Sequence, residues 1–136
     1  MNPIFKNILA IVAGVIVGSA VNMGLVMLGP ILIPPPEGAD ITTMKGLTEA
    51  MPLMQPKHFI FPFLAHALGT LAGAWVVAKI AATRKLQMAM TIGLFFLFGG
   101  IMNIQMLPGS PEWFNVLDVV LAYLPMAWLG RKLAKG

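Results

Sequence analysis

Four strongly polar side chains lie within stretches of sequence that are otherwise apolar, and their chemistry could bind a solute or carry a proton. They are Asn22, His66, Asn103 and Asp118. An ionised carboxylate near the centre of a membrane costs about 2.5–3.5 kcal/mol, so Asp118 must be paired, hydrated or protonated there. His66 is the titratable side chain that helical spacing puts at a similar depth. We therefore predict a His66–Asp118 pair with two asparagine amides at the same level.

The composition indicates that lipid, rather than water, surrounds most of this chain. It has 136 residues, of which 58% are hydrophobic and 10% are charged. Soluble domains carry about 25% charged residues because their surfaces face water. The sequence contains no cysteine, which excludes disulfides, thiolate metal sites and a cysteine nucleophile.

Four apolar segments are each close to the ~20 residues that a helix needs to cross a bilayer core. They lie at about 7–29, 59–81, 88–107 and 113–130. These segments predict an all-α membrane protein with a bundle of four transmembrane helices. The bundle would form one integral membrane domain over residues 1–136.

The positions of the charged residues predict the orientation of this bundle. If the segments alternate in direction, one end holds the basic residues Lys6, Lys79, Arg84, Lys85, Arg131, Lys132 and Lys135. The opposite end holds Lys45, Lys57, Glu37, Asp40, Glu49 and Glu112. Basic residues are retained on the cytoplasmic side of membrane proteins. We therefore expect a multi-pass protein of a bacterial inner membrane, with both termini in the cytoplasm and no binding to nucleic acid.

One long connection, residues 30–58, is predicted on the external side of the membrane. Within it, Asp40 or Thr42 could cap a short helix. Apolar side chains then recur at near-helical spacing, at Met44, Leu47, Met51 and Met54. Such an amphipathic helix either lies flat on the membrane interface or folds over the bundle as a lid.

A weak internal similarity predicts that the bundle consists of two parallel helical hairpins. The pattern Ala-Trp-x-x-x-Lys occurs at residues 74–79 of the second segment and again at 127–132 of the fourth. A second shift relates the first segment to the third, matching Gly18 and Asn22 with Gly99 and Asn103. Both halves would then start in the cytoplasm and be related by an axis along the membrane normal.

Glycines beside the polar side chains indicate that the polar layer faces the interior of the bundle. They share a helix face with Asn22, His66 and Asn103, and small residues let membrane helices approach closely. The layer would then be a site, open to the extracytoplasmic side, that binds or transports a small solute or a proton. The alternative is a structural or accessory subunit, whose helices pack with copies of the chain or in a larger membrane complex.

Other chemistry has less support in the residue pattern. The thioethers of Met51 and Met54 with the imidazole of His58 would suit Cu(I), so copper handling is a third hypothesis. His58 and His66 lie about 12 Å apart along one helix, too far to share a zinc ion. Motifs of serine hydrolases, zinc proteases and phosphate-binding loops do not occur. We therefore expect neither an enzyme nor a bound cofactor or metal.

Overall fold

Helices make up most of residues 1–135, the part of the chain that this computed structural model describes, and that part contains no strand. The α-helices are α1 (Pro3–Leu32), α2 (Met44–Ala50), α3 (Ile60–Ile80), α4 (Lys85–Met106), α5 (Glu112–Leu121) and α6 (Leu124–Lys135). Four helical segments are long and apolar enough to cross a membrane, namely Pro3–Leu32, Pro56–Ile80, Lys85–Met106 and Glu112–Lys135. The all-helical class and the four apolar segments are therefore confirmed.

α1 extends beyond the predicted 7–29 at both ends. It begins at Pro3, where the fixed φ of proline suits the first helical position. The side chain of Asn2 caps this end by accepting a hydrogen bond from the N–H of Ile4 at 2.8 Å. The helix stops at Leu32, because the next residue, Ile33, precedes Pro34, and a proline disfavours the helical conformation in the residue before it.

α1 and α3 pack so closely that their backbones touch, and glycine makes this contact possible. A Cβ added to Gly73 would lie 2.6 Å from the carbonyl oxygen of Gly14, and one added to Gly18 would lie 2.7 Å from that of Gly69. α3 also contacts α4 and α6. The buried cluster around these contacts consists of Ala10, Ala74, Val77, Ala81, Ala89, Ile92 and Ala127. α3 is therefore the central helix, and its polar side chains face neighbouring helices.

The fourth segment is not the single helix predicted over 113–130, because it breaks at Ala122 and Tyr123. Pro125 lies just beyond the break. It has no N–H to donate to the carbonyl of Leu121, and in a continuous helix its ring would clash with that carbonyl. The N–H of Ala122 closes α5 on the carbonyl of Asp118 at 2.9 Å. The segment therefore consists of two short helices, with a corner next to the predicted acidic residue.

Hydrogen bonds hold the N-terminal end of α1 against the turn between α3 and α4. The side chain of Asn7 accepts from the N–H of Ala82 at 2.8 Å and donates to the hydroxyl of Thr83 at 2.9 Å. At this end of the bundle, Lys79 lies over the ring of Trp75 at 5.6 Å. Lys132 lies in the same way over Trp128, at 5.1 Å.

The predicted hairpin repeat stays a prediction, because the two halves share some contacts and differ in others. The Lys–Trp contacts occur in both halves. In contrast, Gly18 packs against Gly69, whereas a Cβ added to its counterpart Gly99 would meet no atom within 4 Å. The second apolar segment is also continuous where the fourth is broken.

The long connection folds over one end of the bundle, which is the second of the two arrangements that its apolar stripe predicts. Its helix α2 is capped by Thr43, whose hydroxyl accepts from the N–H of Gly46 at 3.0 Å. The predicted caps are therefore wrong. Asp40 instead accepts hydrogen bonds from the hydroxyl and the N–H of Thr42, and these lower the pKa of its carboxyl. The connection packs on the bundle through Met51, Phe59, Leu107 and Phe114.

Candidate functional site

A cavity of about 490 Å³ lies beneath the long connection, and all four predicted polar residues line it. α1 contributes Asn22, α3 contributes His66, α4 contributes Asn103 and α5 contributes Asp118. Four different helices therefore bring polar groups to one space, as the common depth of these residues predicts. The volume is within the range of about 300–1,000 Å³ that small-molecule sites occupy.

His66 and Asp118 form a direct pair in the wall of this cavity. Nδ1 of His66 lies 2.9 Å from each carboxylate oxygen of Asp118. Asp118 is 3% exposed, while the His66 side chain keeps 21% exposure. The hydroxyl of Thr70 donates to the carbonyl of His66 at 2.8 Å, so the Thr70 hydroxyl is paired within α3 and does not bond to the His66–Asp118 pair. The carboxylate is therefore enclosed, and the imidazole is the member of the pair that solvent can reach.

Tyr123 is a third member of this cluster that the sequence pattern does not reveal. Its hydroxyl donates to Oδ2 of Asp118 at 3.0 Å, and its ring stacks on His66 with centroids 5.8 Å apart. In a continuous helix, Tyr123 would lie about 140° around the axis from Asp118. The break at Ala122 and Tyr123 brings the ring to the same side. Pro125 is the sequence signal that could have indicated this break.

Gly100 makes room for the Tyr123 ring on the facing helix α4. A Cβ added at Gly100 would collide with the hydroxyl oxygen and the Cζ carbon of Tyr123. Both Gly100 and the glycine next to it, Gly99, line the cavity, but Gly99 has open space around it. The two adjacent glycines therefore differ in packing, because only Gly100 is in close contact with Tyr123.

The two asparagines line the cavity without forming hydrogen bonds to the pair. Oδ1 of Asn22 is buried, and no hydrogen-bond donor reaches it in the described part of the chain. A buried amide oxygen without a partner costs about 1–3 kcal/mol, so this atom indicates that a water or a ligand completes the site. Asn103 is exposed and lies at the edge of the cavity.

The hydrogen bonds of the pair determine which atoms are left for a ligand. When Asp118 is ionised, its carboxylate only accepts hydrogen bonds, and Nδ1 of His66 then carries the hydrogen that the two side chains share. In neutral imidazole the second nitrogen, Nε2, is then an acceptor. Nε2 takes part in no hydrogen bond among residues 1–135. The arrangement could therefore accept a hydrogen bond or a proton at Nε2 while Asp118 balances the charge.

The long connection forms the roof of the cavity, which consists of Leu47, Met51, Met54 and His58. His58 secures this roof with both ring nitrogens. Nδ1 accepts from the N–H of Gln55 at 2.8 Å, and Nε2 lies 3.1 Å from the carbonyl oxygen of Pro34, to which it donates. His58 is a roof residue outside the predicted polar layer.

The roof contacts give the predicted copper ligands a structural explanation. Met51 is 6% exposed and packs in the apolar cluster with Phe59, and both nitrogens of His58 already have protein partners. In residues 1–135, no group of three or more His, Asp or Glu side chains is arranged to hold a metal ion. Copper handling stays a prediction, and the geometry favours packing for these side chains.

The structure thus joins His66 and Asp118, adds Tyr123 to them, and places Asn22 and Asn103 around the same cavity. The comparisons with protein families, with curated proteins and with solved structures gave no match to this chain.

Proposed function

We propose that this chain is a multi-pass membrane protein that binds a small solute in the cavity beside His66 and Asp118, and moves the solute or a proton. The observation that carries the proposal is the unpartnered Oδ1 of Asn22 in a cavity that also contains a buried His–Asp pair. Polar and ionisable groups within membrane helices are expensive, and they commonly mark pathways for solutes or protons.

The proposed location is the inner membrane of a bacterium, with both termini in the cytoplasm. The four apolar helical segments support insertion, and the basic residues at the end near Asn7 and Thr83 support the orientation. Exposed tryptophans support both boundaries: Trp113 is 51% exposed near the roof, and Trp75 and Trp128 are 41% and 50% exposed near the basic end. Tryptophan is enriched at the interfaces of membranes.

The alternative is an accessory subunit that packs with copies of itself or within a larger membrane complex. One observation favours it, because both oxygens of Asp118 already accept hydrogen bonds from His66 and Tyr123. A carboxylate that is satisfied inside the bundle needs no ligand, so fixing the helices in register would be a sufficient role for it. The two proposals therefore differ in whether solutes reach the cavity.

Thiol labelling of a residue in the cavity wall separates these proposals. The chain has no cysteine, so each variant carries a single thiol. Thr70→Cys places it in the cavity wall one turn from His66. Val77→Cys places it two turns further along α3, in the buried cluster. Both positions are at most 1% exposed, which makes them matched in burial. They differ in that Thr70 borders the cavity and Val77 does not.

We expect the small reagent methanethiosulfonate ethylammonium to modify the thiol of the Thr70→Cys variant in proteoliposomes and to leave that of the Val77→Cys variant unmodified. The reagent reacts with thiolate, which requires water or polar groups around the sulfur. If the two thiols are equally inert, the cavity is closed and the accessory proposal replaces the binding one. Proton movement is tested in the same vesicles with a trapped pH indicator, by comparing the unaltered chain with Asp118→Asn.

A further inference from the structure

We propose that the ligand of this cavity is a lipophilic amine, held by its ammonium group beside the His66–Asp118 pair and admitted from the bilayer through a lateral opening between α1 and α4. This inference rests on the proposed binding function and adds the class of ligand and its route of access.

Two polar atoms of the cavity wall that lack a protein partner within residues 1–135 are acceptors, which favours a ligand with hydrogen-bond donors. Oδ1 of Asn22 is buried without a donor among the described residues. Nε2 of His66 is an acceptor when Nδ1 donates to Asp118. A protonated amine supplies two or three N–H donors from one atom, which matches this group of acceptors.

The charges around the cavity favour a cation. Among the described residues that line it, Asp118 is the acidic one, and no lysine or arginine is present. An anionic head group such as a carboxylate or phosphate would therefore meet the negative charge of Asp118 without a compensating cation. An ammonium group would instead be attracted by this negative charge, within a space of low dielectric constant where such attraction is strong.

The remaining walls are apolar and suit the body of such an amine. Phe96 and Ile104 of α4 and Leu107 just after it form one side, and Phe59 and Phe114 line the end beneath the roof. Pockets that bind drug-sized ligands combine walls of this kind with a few placed polar groups. The cavity thus presents acceptors at one side and apolar side chains elsewhere.

The opening lies between α1 and α4, which touch as far as the middle of the bundle and separate towards the roof. Midway along α1, a Cβ added to Gly18 would lie 2.8 Å from the Phe96 ring. Above this contact, a Cβ added to Gly99 would meet no atom within 4 Å. Val26 lines the cavity and is nevertheless 45% exposed, and Asn103 lines it and is exposed. We call Val26, Gly99 and Asn103 the mouth, which faces the apolar surroundings of the helices.

Photolabelling of the unaltered protein tests the class of ligand. The probes are a long-chain primary amine and a fatty acid of the same chain length, each with a diazirine on the chain, in vesicles of phosphatidylcholine. We expect the amine to label α1 and α4 peptides around the mouth, and we expect excess unlabelled amine to suppress this labelling. The fatty acid should give only the unsaturable labelling that any bilayer lipid produces. Equal, unsaturable labelling by both probes would overturn the proposal.

Variants test the residues and the route. Asp118→Asn should reduce the saturable labelling roughly tenfold, the equivalent of one charge-assisted hydrogen bond. Glu112→Gln, which removes an acid at the same end outside the cavity, should leave it unchanged. Gly99→Phe should block the mouth, whereas Gly24→Phe, at a second helical glycine with open space, should not. Saturable labelling that survives both Asp118→Asn and Gly99→Phe would refute the assigned site and route.

The outcome is separable from that of the proposed function. If the Thr70→Cys variant reacts with the thiol reagent but the amine does not label saturably, the cavity is a solute site and the ligand class is wrong. If that variant is inert, the proposed function fails first and the amine has no cavity to bind.

Discussion

Asp118 and His66 are separated by 52 residues and meet in the cavity wall, with Nδ1 of the imidazole 2.9 Å from both carboxylate oxygens. The contact joins α3 to α5, two helices that otherwise touch little, and it places the imidazole between the enclosed acid and the cavity. This geometry fits both a structural hydrogen bond and a site that accepts a proton. The unfolding free energy of variants tests the structural role of the pair, and the accessibility of the cavity tests its binding role.

The energy of this contact is measured by a double-mutant cycle with His66→Ala and Asp118→Asn. Hydrogen bonds between membrane helices contribute about 0.6 kcal/mol on average and up to ~1.7 kcal/mol. We expect each single variant to lower the free energy of unfolding in detergent by about this amount, and the double variant to cost no more than the larger single effect. Strictly additive effects would contradict the hydrogen bond between the two side chains.

Gly100 and Gly99 provide an adjacent pair for testing the position of Tyr123. Gly100→Ala would push its methyl group into the Tyr123 ring and separate the hydroxyl from Asp118. We expect a loss of about 1–3 kcal/mol in unfolding free energy, typical of overpacking. Gly99→Ala meets open space and should be neutral or slightly stabilising, since alanine favours helix. Equal unfolding free energies for the two variants would contradict the placement of the ring.

The polar layer is predictable from the sequence because its depth and direction follow from helical geometry. Rise per residue gives Asn22, His66, Asn103 and Asp118 similar depths, and the structure places all four around one cavity. Periodicity does not say which helix faces lie together. The direct backbone contact of Gly14 with Gly73 depends on the whole arrangement of the bundle and is not encoded in either segment alone.

The break in the fourth segment is where local reasoning from apolarity is insufficient. A proline inside an apolar run either kinks a helix or divides it, and the surrounding packing decides between these outcomes. Here the break lets Tyr123 fill the space beside Gly100 and bond to Asp118. Apolarity alone predicts that the segment spans a membrane, but it does not predict this third partner.

The close packing of α1 on α3 predicts that Gly73 is intolerant of substitution. An alanine Cβ at this position would lie 2.6 Å from the carbonyl oxygen of Gly14, an atom that can move only with its helix. We expect Gly73→Ala to lower the unfolding free energy by about 1–3 kcal/mol. Gly24→Ala on α1, which meets no atom within 4 Å, is the control. A stable Gly73→Ala protein would mean that the two helices are further apart than described.

The proposed orientation predicts opposite labelling of two exposed positions. Glu37→Cys lies in the long connection, and Ala82→Cys lies in the turn between α3 and α4. In spheroplasts, which lack the outer membrane but keep an intact inner membrane, an impermeant maleimide should label the Glu37→Cys variant directly. It should label the Ala82→Cys variant only after the membrane is permeabilised. The reverse pattern would place the basic end outside, contrary to the expected retention of basic residues in the cytoplasm.

The two hydrogen bonds of His58 predict that this residue controls access through the roof. His58→Ala removes the acceptor of the Gln55 N–H and the donor to the Pro34 carbonyl, and each bond contributes about 0.5–1.5 kcal/mol. In the Thr70→Cys background, we expect His58→Ala to raise the rate of thiol modification by up to about tenfold, because the roof opens more often.

Lys57→Ala, at an exposed neighbour whose side chain forms no hydrogen bond within residues 1–135, should leave the rate unchanged. An unchanged rate in His58→Ala would mean that solutes reach the thiol at position 70 by the lateral mouth without passing the roof, and the roof would then be a fixed wall of the site.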